Sequence, residues 1–64
     1  MADDNPILKY FQYEHLPPYL QTVSKPFCVL AHDIDNLYPD DAEKSAGLRK
    51  LLEAKDCIVR ASMG

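Results

Sequence analysis

The chain has 64 residues, 47% of them hydrophobic and 27% charged, with a net charge of −3. That length holds at most one domain, and a core of this size rarely supplies more than about 3–5 kcal/mol, so a disulfide, a metal or self-association is expected to help. The hydrophobic fraction excludes wholesale disorder, the acidic balance makes duplex DNA a poor partner, and no apolar run reaches membrane-spanning length.

The chain carries no signal-peptide or transit-peptide pattern, so a cytosolic protein with Cys28 and Cys57 as reduced thiols is expected. In a hairpin these two cysteines would also be offset axially by roughly 7 Å, too far for a bridge. The charge is uneven. From Asp41 to Ser62 the segment is +1, and the remainder is −4. A local cationic surface can therefore exist on an acidic protein.

In chain order, residues 1–8 begin with the polar "MADDNP" and are expected to be flexible. Residues 9–17 carry three aromatics, Tyr10, Phe11 and Tyr13, and read as an extended arm that docks on something. Pro17 and Pro18 suit a helix start, since the first turn tolerates a missing N–H. Leu20, Val23, Phe27, Leu30, Ile34 and Leu37 then step by 3 or 4, a heptad-like seam that predicts a first helix over 18–38. Pro26 falls inside it. The seam stays in phase across Pro26, which favours one helix kinked there over a fresh start capped by Ser24. Tyr38 precedes Pro39 and leaves helical geometry, so "YPDDAEK" is a turn. Asp40 is expected to cap the second helix, with Glu43 as its capping-box partner, and that helix to run over 41–62. Leu48, Leu51, Leu52, Ile58 and Val59 form its broad apolar face, and Lys55 falls on that same face.

The expected fold is therefore all-α: an antiparallel two-helix hairpin with an N-terminal aromatic arm. Two helices cover one interface and leave other apolar positions open, so assembly into a homo-oligomer is expected.

The chemistry-bearing residues support few sites. Cys28, His32 and Asp35 share one face of the first helix at metal-ligand spacing, but no fourth ligand accompanies them, and no metal or other cofactor is expected. Neither His15 nor His32 is coupled to a nucleophile motif, and the two glycines, Gly47 and Gly64, build no phosphate-cradling loop, so no catalytic residues are expected. Arg49 and Lys50 crowd the start of the second helix beside Ser45. They either pair along the helix, Arg49 with Glu53, or line a pocket between protomers and meet an anionic ligand. Lys55 either snorkels out of its seam, assists them, or pairs across the hairpin with Asp33 or Asp35. The arm's aromatic rings would supply stacking surfaces for nucleobases.

"FQYEHLP" followed by "YPDDAEKSAGLRKLLEAKDCIVRA" resembles the small helical-hairpin proteins with which bacteriophages sponge up immune cyclic nucleotides. The likeness covers Phe11 to Ala61: an arm with Phe11, Tyr13, His15 and Pro17, a turn with Pro39 and Asp40, a Lys44–Ser45 pair, then Leu48, Lys50, Leu51, Glu53 and Ala54. That family disarms the cyclic-oligonucleotide anti-phage system CBASS, and close relatives sequester cyclic ADP-ribose signals of the Thoeris system.

The resemblance implies compact oligomers, commonly hexamers, in the cytoplasm of the infected bacterial host. They would hold cyclic dinucleotides such as cyclic GMP-AMP, and in some members cyclic trinucleotides at a second site, without cleaving them. An arm tyrosine would stack on a base and a first-helix lysine would meet phosphate. Tyr13 and Lys25 match these roles, and Tyr10, Phe11 and His15 belong to the same arm. Ser45, Arg49 and Lys50 match the trinucleotide stretch. The interval from arm tyrosine to lysine is shorter than the family's, which makes Tyr10 an alternative to Tyr13. The rival expectation is a small oligomeric adaptor that binds a protein partner through its arm.

Overall fold

The computed structural model describes residues 5–64, and residues 1–4 of the expected flexible leader lie outside them. Three helical elements follow one another: a 3₁₀ helix over Pro6–Phe11, α1 over Pro18–Leu37 and α2 over Ala42–Ser62. The described residues contain no strand. The two long helices pack side by side as a helical hairpin, and the 3₁₀ helix lies against both.

The first departure from expectation is at the N-terminus. Residues 5–8 are built into the fold and the arm is not extended throughout. Asn5 caps the 3₁₀ helix, its side-chain oxygen accepting from the Ile7 amide at 3.4 Å, and Pro6 supplies a fixed φ at the first position. The short helix buries Leu8 and Phe11 in one cluster with Ala31 of α1 and Leu48 of α2. Phe27, Cys28, Ile34, Leu51 and Leu52 pack around that cluster. Two helices of this length cannot enclose a core between them, and the 3₁₀ helix is the third wall.

From Gln12 to Pro17 the chain turns back. The Leu16 amide donates to the Tyr13 carbonyl at 3.0 Å, closing a turn with Glu14 and His15 at its tip. The Gln21 side-chain amide reaches back to the Leu16 and Glu14 carbonyls at 2.8 and 3.2 Å. It thereby fastens this turn to the first turn of α1.

α1 runs uninterrupted through Pro26, as a single helix. Its inward face is Leu20, Ser24, Phe27, Cys28, Ala31 and Ile34. Of the expected seam, Leu20 is buried and Val23, Phe27 and Ile34 are partly buried, but Leu30 and Leu37 are exposed, Leu37 at 72%. The face turns toward the small residues Ser24 and Ala31, and Ala31 lets Leu8 and Phe11 of the 3₁₀ helix and Leu48 of α2 approach closely.

The turn is set by Pro39. The carbonyl of Asp35 would accept from the residue four places on, but that residue is Pro39 and has no N–H. The Lys44 ammonium takes its place, donating to the Asp35 carbonyl at 3.0 Å and to the Tyr38 carbonyl at 2.9 Å. The cap of α2 is Asp41, whose carboxylate accepts from the Lys44 amide at 2.8 Å. Asp40, the expected cap, instead faces the Lys44 ammonium at 2.8 Å. With Lys44 against Asp35 and Leu48 clustered with Ala31, the antiparallel register sets Lys55 at the level of Ser24. Ser24 is fully buried and its hydroxyl has no hydrogen-bond partner among the described residues.

Candidate functional site

Polar groups concentrate at the turn end of the hairpin. An open cleft of about 640 Å³ is bounded there by Asn5, Asp35, Tyr38, Asp40, Lys44 and Ser45. Lys44 is its organising residue. Its side chain is only 6% exposed and its ammonium also meets the Asp35 carboxylate at 3.2 Å. Asp35 in turn accepts from the Asn5 side-chain amide at 3.3 Å. One network thus joins the 3₁₀ helix, α1, the turn and α2.

The charges hold one another in their ionised forms. The hydrogen bond from Lys44, helped by that from Asn5, lowers the Asp35 carboxyl below its ordinary value, against the opposing effect of its own desolvation. The Lys44 ammonium is raised above its ordinary value, first by its bond to Asp40 and then by Asp35. With three N–H donors and four acceptors around it, Lys44 has no donor to spare for a phosphate. It is a structural cation.

The expected ligand residues are dispersed over one hairpin. Phe11 is corrected outright: its ring is 0% exposed in the core, so no base can stack on it. Tyr13 is half-buried at the start of the arm turn, and His15 is exposed at the tip of that turn. Tyr10 is exposed, with the Lys9 ammonium 5.3 Å from its ring centroid. Lys25 is exposed on the outward side of α1, in a shallow apolar groove with Pro26, Val29, Leu30 and Asp33. No hydrogen bond or ion pair among the described residues joins Tyr13 to Lys25. Ser45, Arg49 and Lys50 are exposed along the first half of α2, and of these only Ser45 borders the turn cleft. Arg49 makes no ion pair with Glu53.

Lys55 does not cross the hairpin to Asp33 or Asp35. Its side chain is 13% exposed and pairs with the adjacent Asp56 at 3.2 Å. Lys44 is the cation that crosses, and its role went unread in the sequence. The readable signal was Pro39, which removes an amide four residues after Asp35 and leaves a carbonyl for some other donor.

Among the described residues no three His, Cys, Asp or Glu side chains are grouped to hold an ion. Burial and the nearby charge of Glu14 push the Cys28 thiol up, away from the thiolate a metal would need. Cys28 and Cys57 are both free. No described helix is long and apolar enough to cross a membrane.

No protein-family model, curated protein or solved structure matches the chain.

Proposed function

We propose that the protein is a homo-oligomeric sponge that binds and sequesters cyclic oligonucleotide messengers in the cytoplasm of an infected bacterial host, without cleaving them, and so blocks CBASS effectors. Its ligands are cyclic dinucleotides such as cyclic GMP-AMP, with cyclic trinucleotides at a second site. Sequestration needs only tight stoichiometric binding. Base stacking contributes about 1–3 kcal/mol per base and charge-assisted contacts to phosphate add to it.

The observation that carries this reading is the surface a single hairpin leaves uncovered. Tyr19, Val29, Leu30, Leu37, Tyr38 and Ile58 are exposed, Lys25 shares a groove with Val29 and Leu30, and Lys25, Arg49 and Lys50 make no ion pair among the described residues. Apolar surface of that extent calls for further copies. A pocket built where copies meet would bring together the tyrosines and bases that one copy keeps apart. The resemblance over Phe11 to Ala61 supplies the ligand class.

Calorimetric titration of cyclic GMP-AMP into Tyr13→Ala and Lys25→Ala tests it. Each variant is expected to lose dinucleotide binding and keep the oligomer's mass, and Arg49→Ala is expected to weaken only trinucleotide binding. Wild-type affinities in all three would remove these residues from the site. Two readings stand beside it. Cyclic ADP-ribose signals of the Thoeris type are the nearest alternative ligands. An adaptor that grips a protein partner is favoured by the same exposed stripe of α1 and predicts no nucleotide affinity.

A further inference from the structure

A second cleft, of about 430 Å³, lies between the 3₁₀ helix and the C-terminal half of α1. Its size is that of a small-molecule pocket. Pro6 and the buried Leu8 line its apolar part. Asn5 and Asp35 form the wall it shares with the turn cleft. That wall is already committed. Asn5 accepts from the Ile7 amide and donates to Asp35, and Asp35 is held ionised by Lys44.

Four polar groups of the lining are not committed. Gln12, His32 and Asn36 are exposed and make no side-chain hydrogen bond among the described residues. His32 and Asn36 stand one helical turn apart on the same face of α1. Gln12 caps the 3₁₀ helix through its backbone, the main-chain N–H donating to the Lys9 carbonyl at 3.4 Å, which leaves its side-chain carboxamide free of any hydrogen bond among the described residues. The fourth is Lys9, whose ammonium rests by the Tyr10 ring through a cation–π contact.

The chemistry of this set is specific. A carboxamide presents a donor and an acceptor side by side, which matches the adjacent N6 and N7 groups of adenine. A lysine ammonium offers a point charge to phosphate. We propose that this cleft is a half-site for one adenine nucleotide unit, with Gln12 and Asn36 on the base edge, His32 beside them and Lys9 on the phosphate. The proposal rests on the reading of the protein as a nucleotide binder. It adds a pocket carried wholly by one hairpin.

The test is nuclear magnetic resonance on the full chain with three probes: adenosine 5′-monophosphate, ribose 5-phosphate and inorganic phosphate. The mononucleotide is expected to shift the side-chain amide signals of Gln12 and Asn36, and the two base-free probes to leave them still. Gln12→Ala and Asn36→Ala are each expected to weaken the mononucleotide roughly tenfold, as loss of a hydrogen bond does, while Lys9→Ala weakens all three probes. Both amides are on the surface, and an unchanged circular dichroism spectrum confirms that the variants fold. Equal binding of all three probes, or still amide signals, would overturn the proposal. If cyclic oligonucleotides bind tightly while these signals stay still, the half-site falls and the sponge reading stands. If the mononucleotide moves them while no cyclic ligand binds, the half-site stands and the sponge reading falls.

Discussion

Phe11 and Lys44 do most to close this small fold, and they do it by opposite chemistries. Phe11 has no exposed surface and touches the one cluster that includes both long helices. Truncating a buried phenylalanine costs about 3–5 kcal/mol, which is the whole stability expected of a core this size. Phe11→Ala is therefore expected to abolish cooperative melting by circular dichroism, and a wild-type transition would show that the 3₁₀ helix is dispensable. Lys44 acts through hydrogen bonds and charge. Because the folded Asp35 carboxyl lies below its ordinary value of 3.8, the stability it contributes is complete above that value and is lost as pH falls through the folded one. Because folded Lys44 lies above 10.5, its contribution is complete below that value and is lost only in stronger alkali. Thermal melts are expected to drop below about pH 4, and Asp35→Asn to flatten that drop; an acid limb identical in the variant would assign it to other carboxylates. Phe11 was legible as an aromatic in an arm and illegible as core, since nothing in "KYFQY" says which ring turns inward.

At the scale of elements, the hairpin was plain from Pro17–Pro18, the Tyr38–Pro39 break and the apolar periods on either side. α1 begins at Pro18 and ends at Leu37, beside those signals, and α2 runs over Ala42–Ser62 where 41–62 was expected. The inward face of α1 was less legible. The heptad of large residues pointed to Leu30 and Leu37, whereas the structure turns Ser24 and Ala31 inward. Large apolar residues mark a core only when partners are present to cover them. Here close approach selected the small ones, and the large ones were left outside. The cap of α2 moved by one residue, from Asp40 to Asp41, because the Lys44 ammonium engages Asp40. Gly47 sits inside α2 with no atom within 4 Å of where a Cβ would stand. Nothing within the hairpin requires a glycine there, so Gly47→Ala is expected to stabilise the fold by about 1 kcal/mol. Urea denaturation measures it, and an unchanged or lowered midpoint would mean that this surface is occupied in the assembled protein.

The whole molecule is a hairpin with a short third wall and more apolar surface than it covers. Its extents are 36 × 21 × 16 Å, and its core is a single small cluster at the level of Ala31 and Leu48. The candidate ligand residues were legible as types, tyrosines before α1 and bases on α2, but not as a site, because one hairpin spreads them over separate faces. The proposed site would be written in the relation between chains, which a sequence does not display. The decisive measurement is a titration of the purified protein against cyclic dinucleotides, cyclic trinucleotides and cyclic ADP-ribose isomers, followed by heat denaturation and chromatography of what is released. Tight, stoichiometric binding of at least one cyclic di- or trinucleotide, recovered chemically intact, is the expected result of sequestration. Recovery of a cleaved ligand, or no binding across the panel, would contradict it.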